Sequence, residues 1–273
     1  MRAWAQQWVP PRISGWWRKW RRPVRHEGHY SSWSEAVAES RGYDAENLVR
    51  VRKAALQVKA GQAAFERDGV TFAEPEVSWP ALACLLTVGA EQGGRLDVVD
   101  FGGSLGSFYY QHRGFWSELG MVRWRVVEQP AWVQVGRAEF ESEELRFYST
   151  IEAAEAEREA PQVLLLSAVL PYLPDPQRFM ADVSKRRFVA VVIDRTGMLR
   201  EGGRDRLTVQ RVRPPLFHAS YPCWFFTRGT LLAPFAEDYR LRAEFAALDG
   251  TNIAADYRGF FLQRSSLRGC PGH

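Results

Sequence analysis

The chain is poor in cysteine and has no long apolar run. Its three cysteines, Cys84, Cys223 and Cys270, stand far apart, with no C-x-x-C and no Cys/His ligand spacing. Neither a zinc site nor a disulfide framework is expected, no metal is called for, and a reducing cytoplasm is the default compartment. A membrane-spanning helix needs roughly 20 apolar residues, whereas the best stretch, Val163 to Leu173, is interrupted by Ser167 and Pro171. The start is not a secretory signal, because its tryptophans are interleaved with Gln, Pro and Arg rather than followed by an apolar core. Internal repeats and low-complexity tracts are also missing, which leaves one continuous domain with a helical preface.

What is present suffices for a large core without staples: 46% of 273 residues are hydrophobic. The net charge of +4 is concentrated early, where Arg18, Lys19, Arg21, Arg22 and Arg25 surround Trp16, Trp17 and Trp20. Pro10, Pro11, Gly15 and Pro23 break any long amphipathic helix there, so residues 1–29 read first as a basic extension. Peripheral contact with an anionic membrane surface is the second reading. Basic residues do not recur with aromatics elsewhere, so nucleic acid is not an expected partner. Oligomeric state has no signature.

Residues 30–94 read as a helical cap. Ser32-Trp33-Ser34-Glu35 has the capping-box form and opens a short helix ending at Gly42; Asp44 can cap the next. Leu48, Val51, Ala55, Val58 and Gln62 to Phe65 keep helical spacing up to Gly69, and Ser78-Trp79-Pro80 starts another helix stopped by Gly93-Gly94. From residue 95 to the end the pattern changes to short apolar runs between helical segments, as in a parallel sheet flanked by helices. The strands are Leu96 to Asp100, Arg123 to Glu128, Leu145 to Tyr148, Val163 to Ser167 and Phe188 to Asp194. Crossover helices lie at Leu105 to Leu119, Ala131 to Phe140 and Pro176 to Ser184. Arg195 to Trp224 is a long connecting segment. Thr227 to Ala236 is a helix, and Tyr239 to Leu248 and Tyr257 to Gln263, turning at Asp249-Gly250, form an antiparallel hairpin at the sheet edge.

Val98-Val99-Asp100-Phe101-Gly102-Gly103-Ser104-Leu105-Gly106-Ser107 places glycines where the first strand turns into the first helix. Ligands bind at that end of such sheets, and glycine lets them approach the backbone. The register Gly102-x-Ser104-x-x-Ser107 misses two glycines of the dinucleotide G-x-G-x-x-G. It is similar instead to the acidic-x-Gly-x-Gly-x-Gly loop of class I methyltransferases, matched at Asp100, Gly102 and Gly106 and broken at Ser104. Glu128 ends the second strand, where a carboxylate accepts both ribose hydroxyls. Its distance from Asp100 exceeds the usual spacing of about 20 residues, which an extended first helix would explain.

Further stretches resemble a bacterial family of class I S-adenosylmethionine-dependent methyltransferases found with polysaccharide and O-antigen biosynthesis genes. They are Ser31-Ser32-Trp33 with Gly42-Tyr43-Asp44, Phe65-Glu66-Arg67-Asp68, Asp100 to Ser107, Val127-Glu128-Gln129-Pro130, Leu165 to Leu173, Ile193-Asp194-Arg195-Thr196 and Ala219-Ser220-Tyr221-Pro222. The resemblance runs from about Tyr30 to Arg264. It implies an α/β Rossmann-like fold, a seven-stranded mixed sheet with a terminal antiparallel hairpin, S-adenosylmethionine as cofactor, and a hydroxyl or amine of a saccharide as acceptor. It also implies that Asp100, Gly102, Gly103, Ser104 and Gly106 line the methionine and ribose side with Glu128 on the ribose. Tyr148 or Ser149 would lie near the adenine, and Ser167 and Ala168 would border the methyl donor.

A hydroxyl acceptor must lose a proton, and the candidate bases are Asp194, His218 and Tyr221. Arg195 and Arg206 would bind an acidic sugar or phosphate, and Tyr109 and Tyr172 would flank the acceptor. Two rivals stay open: a cofactor-binding partner protein that has lost catalysis, and a nucleotide-dependent sugar-modifying oxidoreductase, against which the glycine register and the terminal hairpin stand.

Overall fold

The computed structural model describes residues 24–42, 45–157, 161–213 and 218–265. The Trp/Arg-rich run up to residue 23 and the expected Asp44 cap lie outside them. Residues 24–29, expected in the N-terminal extension, belong to a strand, β1 (Val24–Tyr30). Ser32 then caps α1 (Trp33–Ala38), its Oγ accepting from the Glu35 amide at 3.2 Å. The Glu35 carboxylate reaches back to the amide and hydroxyl of Ser31, both at 2.8 Å. In α2 (Ala45–Lys59) the apolar stripe Val51, Ala54, Ala55 and Val58 is buried.

That helix stops ten residues short of the expected Gly69. Phe65–Arg67 (β2) and Val70–Phe72 (β3) form a hairpin around Asp68 and Gly69, whose φ values are 52° and 78°. Two consecutive left-handed residues make the turn that matches strand twist, and Asp-Gly is a preferred pair for it. Phe65 and Phe72 face each other across the pair with ring centroids 4.6 Å apart, so cross-strand stacking outcompetes helix extension. Next, α3 (Trp79–Glu91) has Pro80 in its first turn and ends ahead of Gly93 and Gly94, both at positive φ.

The alternating region follows as β4 (Arg95–Phe101), α4 (Ser107–Trp116), β5 (Met121–Val127), α5 (Pro130–Glu139), β6 (Leu145–Tyr148), α6 (Ile151–Ala156), β7 (Val163–Ser167), α7 (Pro176–Ser184) and β8 (Ala190–Leu199). A 3-10 turn, Leu170–Tyr172, leads from β7 towards α7. After β9 (Arg206–Val212), β10 (Ala219–Phe225) and α8 (Arg228–Leu232), the chain ends in β11 (Tyr239–Ala246) and β12 (Ala255–Arg264). The large sheet has the order β11-β12-β8-β7-β4-β5-β6. Strands β4 to β8 pair in parallel, and β12 is antiparallel to both β8 and β11. This is the expected α/β Rossmann-like arrangement, a seven-stranded mixed sheet with a terminal antiparallel hairpin. The first helix is not extended: α4 has 10 residues, and loops on either side of it make up the distance from Asp100 to Glu128.

Side chains alternate between the sheet's two faces with the period of two that strands impose. Val98, Val163, Leu165, Ala190 and Val192 pack with residues of α3, α4 and α5, while Val99, Leu164, Leu166, Val191 and Ile193 pack with α6, α7 and α8. The helix α3, expected in a preface, therefore sits in the same layer as α4 and α5.

A second sheet was not anticipated. Strand β9 pairs antiparallel with β1 on one side and β10 on the other, so part of the supposed connecting segment is regular. Leu207 and Val209 pack with Ala36 of α1, whereas Arg206 and Arg211 interrupt the apolar run and hide the strand. The small sheet meets the large one where Tyr221 packs edge-on against Tyr172 of the 3-10 turn, centroids 5.3 Å apart.

Candidate functional site

Strand β4 is the switch point of the parallel region: its neighbours β5 and β7 lead away in opposite directions, which opens a crevice at the carboxyl ends of the strands. A cavity of about 710 Å³ lies there, within the range that holds small ligands. Phe101, Glu128, Ser149 and Ser167 line it from the ends of β4, β5, β6 and β7, and Arg195 lines it just past the last β7–β8 pair.

In the loop between β4 and α4, alternate residues are left-handed: Gly102, Ser104 and Gly106 have φ of 73°, 57° and 86°. Ser104 thus adopts the conformation that glycine would supply, and its departure from the glycine pattern leaves this alternation intact. At Gly103 the requirement is space, since a Cβ would stand 2.5 Å from the Asp100 carboxylate. Asp100 is 2% exposed and accepts from Trp124 Nε1 at 2.9 Å. Burial pushes its carboxyl up to about 7; the Trp124 bond opposes this and the Glu128 charge adds to it. Glu128 Oε1 accepts from the Ser104 amide at 3.3 Å and Oε2 from the Gln129 amide at 2.9 Å. Burial raises the Glu128 carboxyl as well. One carboxylate thus ties the glycine loop to the end of β5 and keeps acceptor capacity for a further donor.

Among the described residues the non-glycine positions with positive φ are Asp68, Ser104, Ala168 and Arg195, and all of them line this cavity. Backbone strain of this kind persists where the surroundings enforce it and clusters at functional sites.

The opposite wall carries Tyr172, Tyr221, Arg195 and the β2–β3 hairpin. The Tyr172 hydroxyl donates to Gln210 Oε1 at 3.0 Å and Gln210 Nε2 donates to the Tyr221 hydroxyl at 2.9 Å. Buried His26, on β1, meets the same Gln210 oxygen through Nε2 at 3.0 Å. Arg195 grips Asp249 with two parallel bonds, Nη2 lying 3.1 Å from Oδ1. Arg67 is paired with Glu76. Glu66 accepts from the Ser107 hydroxyl at the start of α4 and, at 3.1 Å, from the Gly69 amide.

Of the residues expected from sequence, Asp100, Gly102, Gly103, Ser104, Glu128, Ser149, Ser167, Ala168, Tyr172, Arg195 and Tyr221 come together around the cavity. The remainder lie elsewhere. Gly106 starts α4 against Leu145 and Tyr110. The Tyr148 side chain packs in the α6–α7 layer, while its carbonyl accepts from the Glu128 amide at 3.0 Å. Tyr109 turns to the outer side of α4, its hydroxyl donating to Glu144 at 2.6 Å. Asp194 is 0% exposed beneath the cavity floor, accepting from Ser78 Oγ at 3.1 Å and Ser167 Oγ at 3.5 Å, so it braces the floor rather than facing a ligand. Arg206 donates to the Gly28 carbonyl and joins β9 to β1. His218 is exposed ahead of β10 and is not among the lining residues. Glu66, Arg67 and Asp68 were missed because their segment reads as helix; the Asp68-Gly69 pair between Phe65 and Phe72 was the available signal.

No family model and no curated protein sequence matches the chain. Solved structures similar to it include an S-adenosylmethionine-dependent methyltransferase from Clostridium acetobutylicum, 8% identical with a TM-score of 0.44 over 70% of this chain and 94% of the other. The magnesium protoporphyrin IX methyltransferase of Synechocystis, with S-adenosylmethionine bound, is 9% identical at a TM-score of 0.46, covering 82% and 99%. A sugar N-methyltransferase from a Streptoalloteichus species is 12% identical at a TM-score of 0.45, covering 68% and 87%.

Proposed function

We propose that this chain is a bacterial S-adenosylmethionine-dependent methyltransferase that modifies a hydroxyl or amine of a saccharide or surface-polysaccharide precursor, in the cytoplasm. The observation that carries the reading is the Glu128 carboxylate beside the left-handed loop at the β4 switch point, in the sheet order described above. The donor set fits the cofactor. Glu128 would accept the two ribose hydroxyls, the loop at Gly102 to Ser104 would let the methionine portion lie against backbone, and Ser167 and Ala168 would border the sulfur.

Charge points the same way. The cavity is lined by the carboxyl groups of Glu66, Asp68, Asp100 and Glu128, and its two guanidinium groups, Arg67 and Arg195, are already engaged by Glu76 and Asp249. A cationic sulfonium suits such a lining, whereas a dinucleotide pyrophosphate would meet uncompensated negative charge. For the same reason an uncharged sugar suits the site better than the acidic one expected for Arg195 and Arg206. S-adenosylmethionine supplies an activated methyl group, and the protein's part is to align an acceptor with it and keep water out. Tyr172 and Tyr221, fixed through Gln210, form the apolar-faced wall suited to that.

The test is calorimetric titration with S-adenosylmethionine, S-adenosylhomocysteine and NAD. Micromolar binding of both sulfur ligands and none of NAD is expected, with Glu128→Ala weakening binding about 10- to 100-fold through loss of bonds to a charged group. Absence of sulfur-ligand binding would overturn the reading.

A further inference from the structure

Three of the four cavity carboxylates are occupied by protein donors: Glu66 by Ser107 and Gly69, Asp100 by Trp124, and Glu128 by Ser104 and Gln129. The fourth is Asp68, whose carboxylate makes no hydrogen bond or ion pair among the described residues. Its backbone, in contrast, is held from two sides. Arg50 of α2 donates through Nε to the Asp68 carbonyl at 3.2 Å, and the neighbouring Glu66 is bonded to Ser107 of α4. Asp68 also sits at φ 52° on the hairpin tip, the conformation that the Asp-Gly turn favours, and it is exposed where it lines the cavity. The charges that reach it are Arg195 on β8, Arg67 beside it, Asp249 in the β11–β12 connection and Arg50 on α2, and its own field reaches Tyr172. A carboxylate on a hairpin tip that lines the same cavity as Tyr172 and Tyr221, and that has no donor among the described residues, is placed to receive a proton from whatever lies between.

We propose that Asp68 is a catalytic residue that takes the proton of an acceptor hydroxyl in the cavity; this rests on the methyltransferase reading above. The acceptor oxygen forms the bond to the methyl carbon, the carbon–sulfur bond breaks with its electron pair staying on sulfur, and the hydroxyl proton passes to a carboxylate oxygen of Asp68. The sulfonium becomes a neutral thioether, and the carboxylate becomes a carboxylic acid. Desolvation by the surrounding cavity walls raises the Asp68 carboxyl above its ordinary range, with Arg195 and Arg67 opposing, and a raised carboxyl holds a captured proton better.

A base within reach of the nucleophile lies roughly 6–8 Å from the sulfonium, so its charge favours a cation there and the effect is measurable without an identified acceptor. Calorimetry with S-adenosylmethionine, the amine analogue sinefungin and neutral S-adenosylhomocysteine, on wild type, Asp68→Asn, Asp68→Glu and Glu128→Ala, reads it directly. Asparagine tolerates the left-handed turn, so the fold survives. Asp68→Asn is expected to weaken both cations about tenfold and leave S-adenosylhomocysteine within about twofold, and Asp68→Glu to keep the preference for cations. Equal weakening of all three ligands, or of none, would overturn the role of Asp68 while leaving the cofactor assignment standing. Failure of wild type to bind any of them would overturn both.

Discussion

A left-handed backbone costs a residue with a Cβ roughly 1–2 kcal/mol, so Ser104, Ala168 and Arg195 around one cavity represent strain that packing elsewhere must offset. The buried carboxyl of Asp100 adds a cost of another kind, one that depends on pH. Burial pushes it up to about 7 from an ordinary 3.8. Because the folded-state value is the higher one, the fold binds this proton more tightly than the unfolded chain does. The resulting stabilisation is complete below about pH 4 and is lost as the pH rises through about 7. Glu66, Glu128 and Asp194 are also raised by burial and act with the same sign. The melting temperature is therefore expected to fall between pH 5 and 8. Asp100→Asn, which keeps an acceptor oxygen for Trp124 Nε1, should flatten that slope; thermal melts across the pH range check both.

At the scale of elements, β4 and β5 are joined by more than their ladder. Arg125 Nη2 lies 2.7 Å from Asp97 Oδ2 with both side chains almost fully buried, and Arg125 Nη1 donates to the Ala154 carbonyl of α6 at 2.6 Å. Removing one partner strands a buried charge. Asp97→Ala should cost about 3–5 kcal/mol in urea unfolding, and an apolar pair at both positions should recover most of it. The strands that carry this pair were legible in the sequence, as were β6, β7 and β8, because burial on both faces demands runs such as Val163 to Leu166. Strands β9 and β10 were not: one face of β9 sets Leu207 and Val209 on α1, while the other carries Arg206, Thr208 and Gln210, so its apolar content falls below what marks a buried strand. The β2–β3 hairpin was hidden differently, since Gln62 to Phe65 keeps helical spacing and only the Asp-Gly pair betrays the turn. Site residues at strand ends could be placed from the β-α alternation, whereas Asp68 could not, because nothing local says that a hairpin preceding the sheet folds over its switch point.

On the scale of the whole molecule, the small sheet is fastened to the far end of the chain. His26 of β1 accepts at its carbonyl from Asn252 Nδ2 at 3.0 Å and donates its amide to Asn252 Oδ1 at 2.7 Å, while its ring reaches Thr251 and Gln210. His26→Ala is expected to lower stability by about 1–3 kcal/mol by leaving buried Gln210 and Thr251 short of partners. Amide exchange in residues 24–30 should accelerate more than in β4 or β7, which hydrogen exchange resolves.

The pairing of Val24 with Val212 has a temporal consequence. At synthesis rates of roughly 5–20 residues per second, β1 leaves the ribosome roughly 10–40 s before its partner strand exists. During that interval α1, α2 and the β2–β3 hairpin lack the small sheet that later closes the aromatic wall. The cavity thus keeps an unfinished wall until β10 brings Tyr221 to Tyr172, although Glu128 and the glycine loop are synthesised well before that strand.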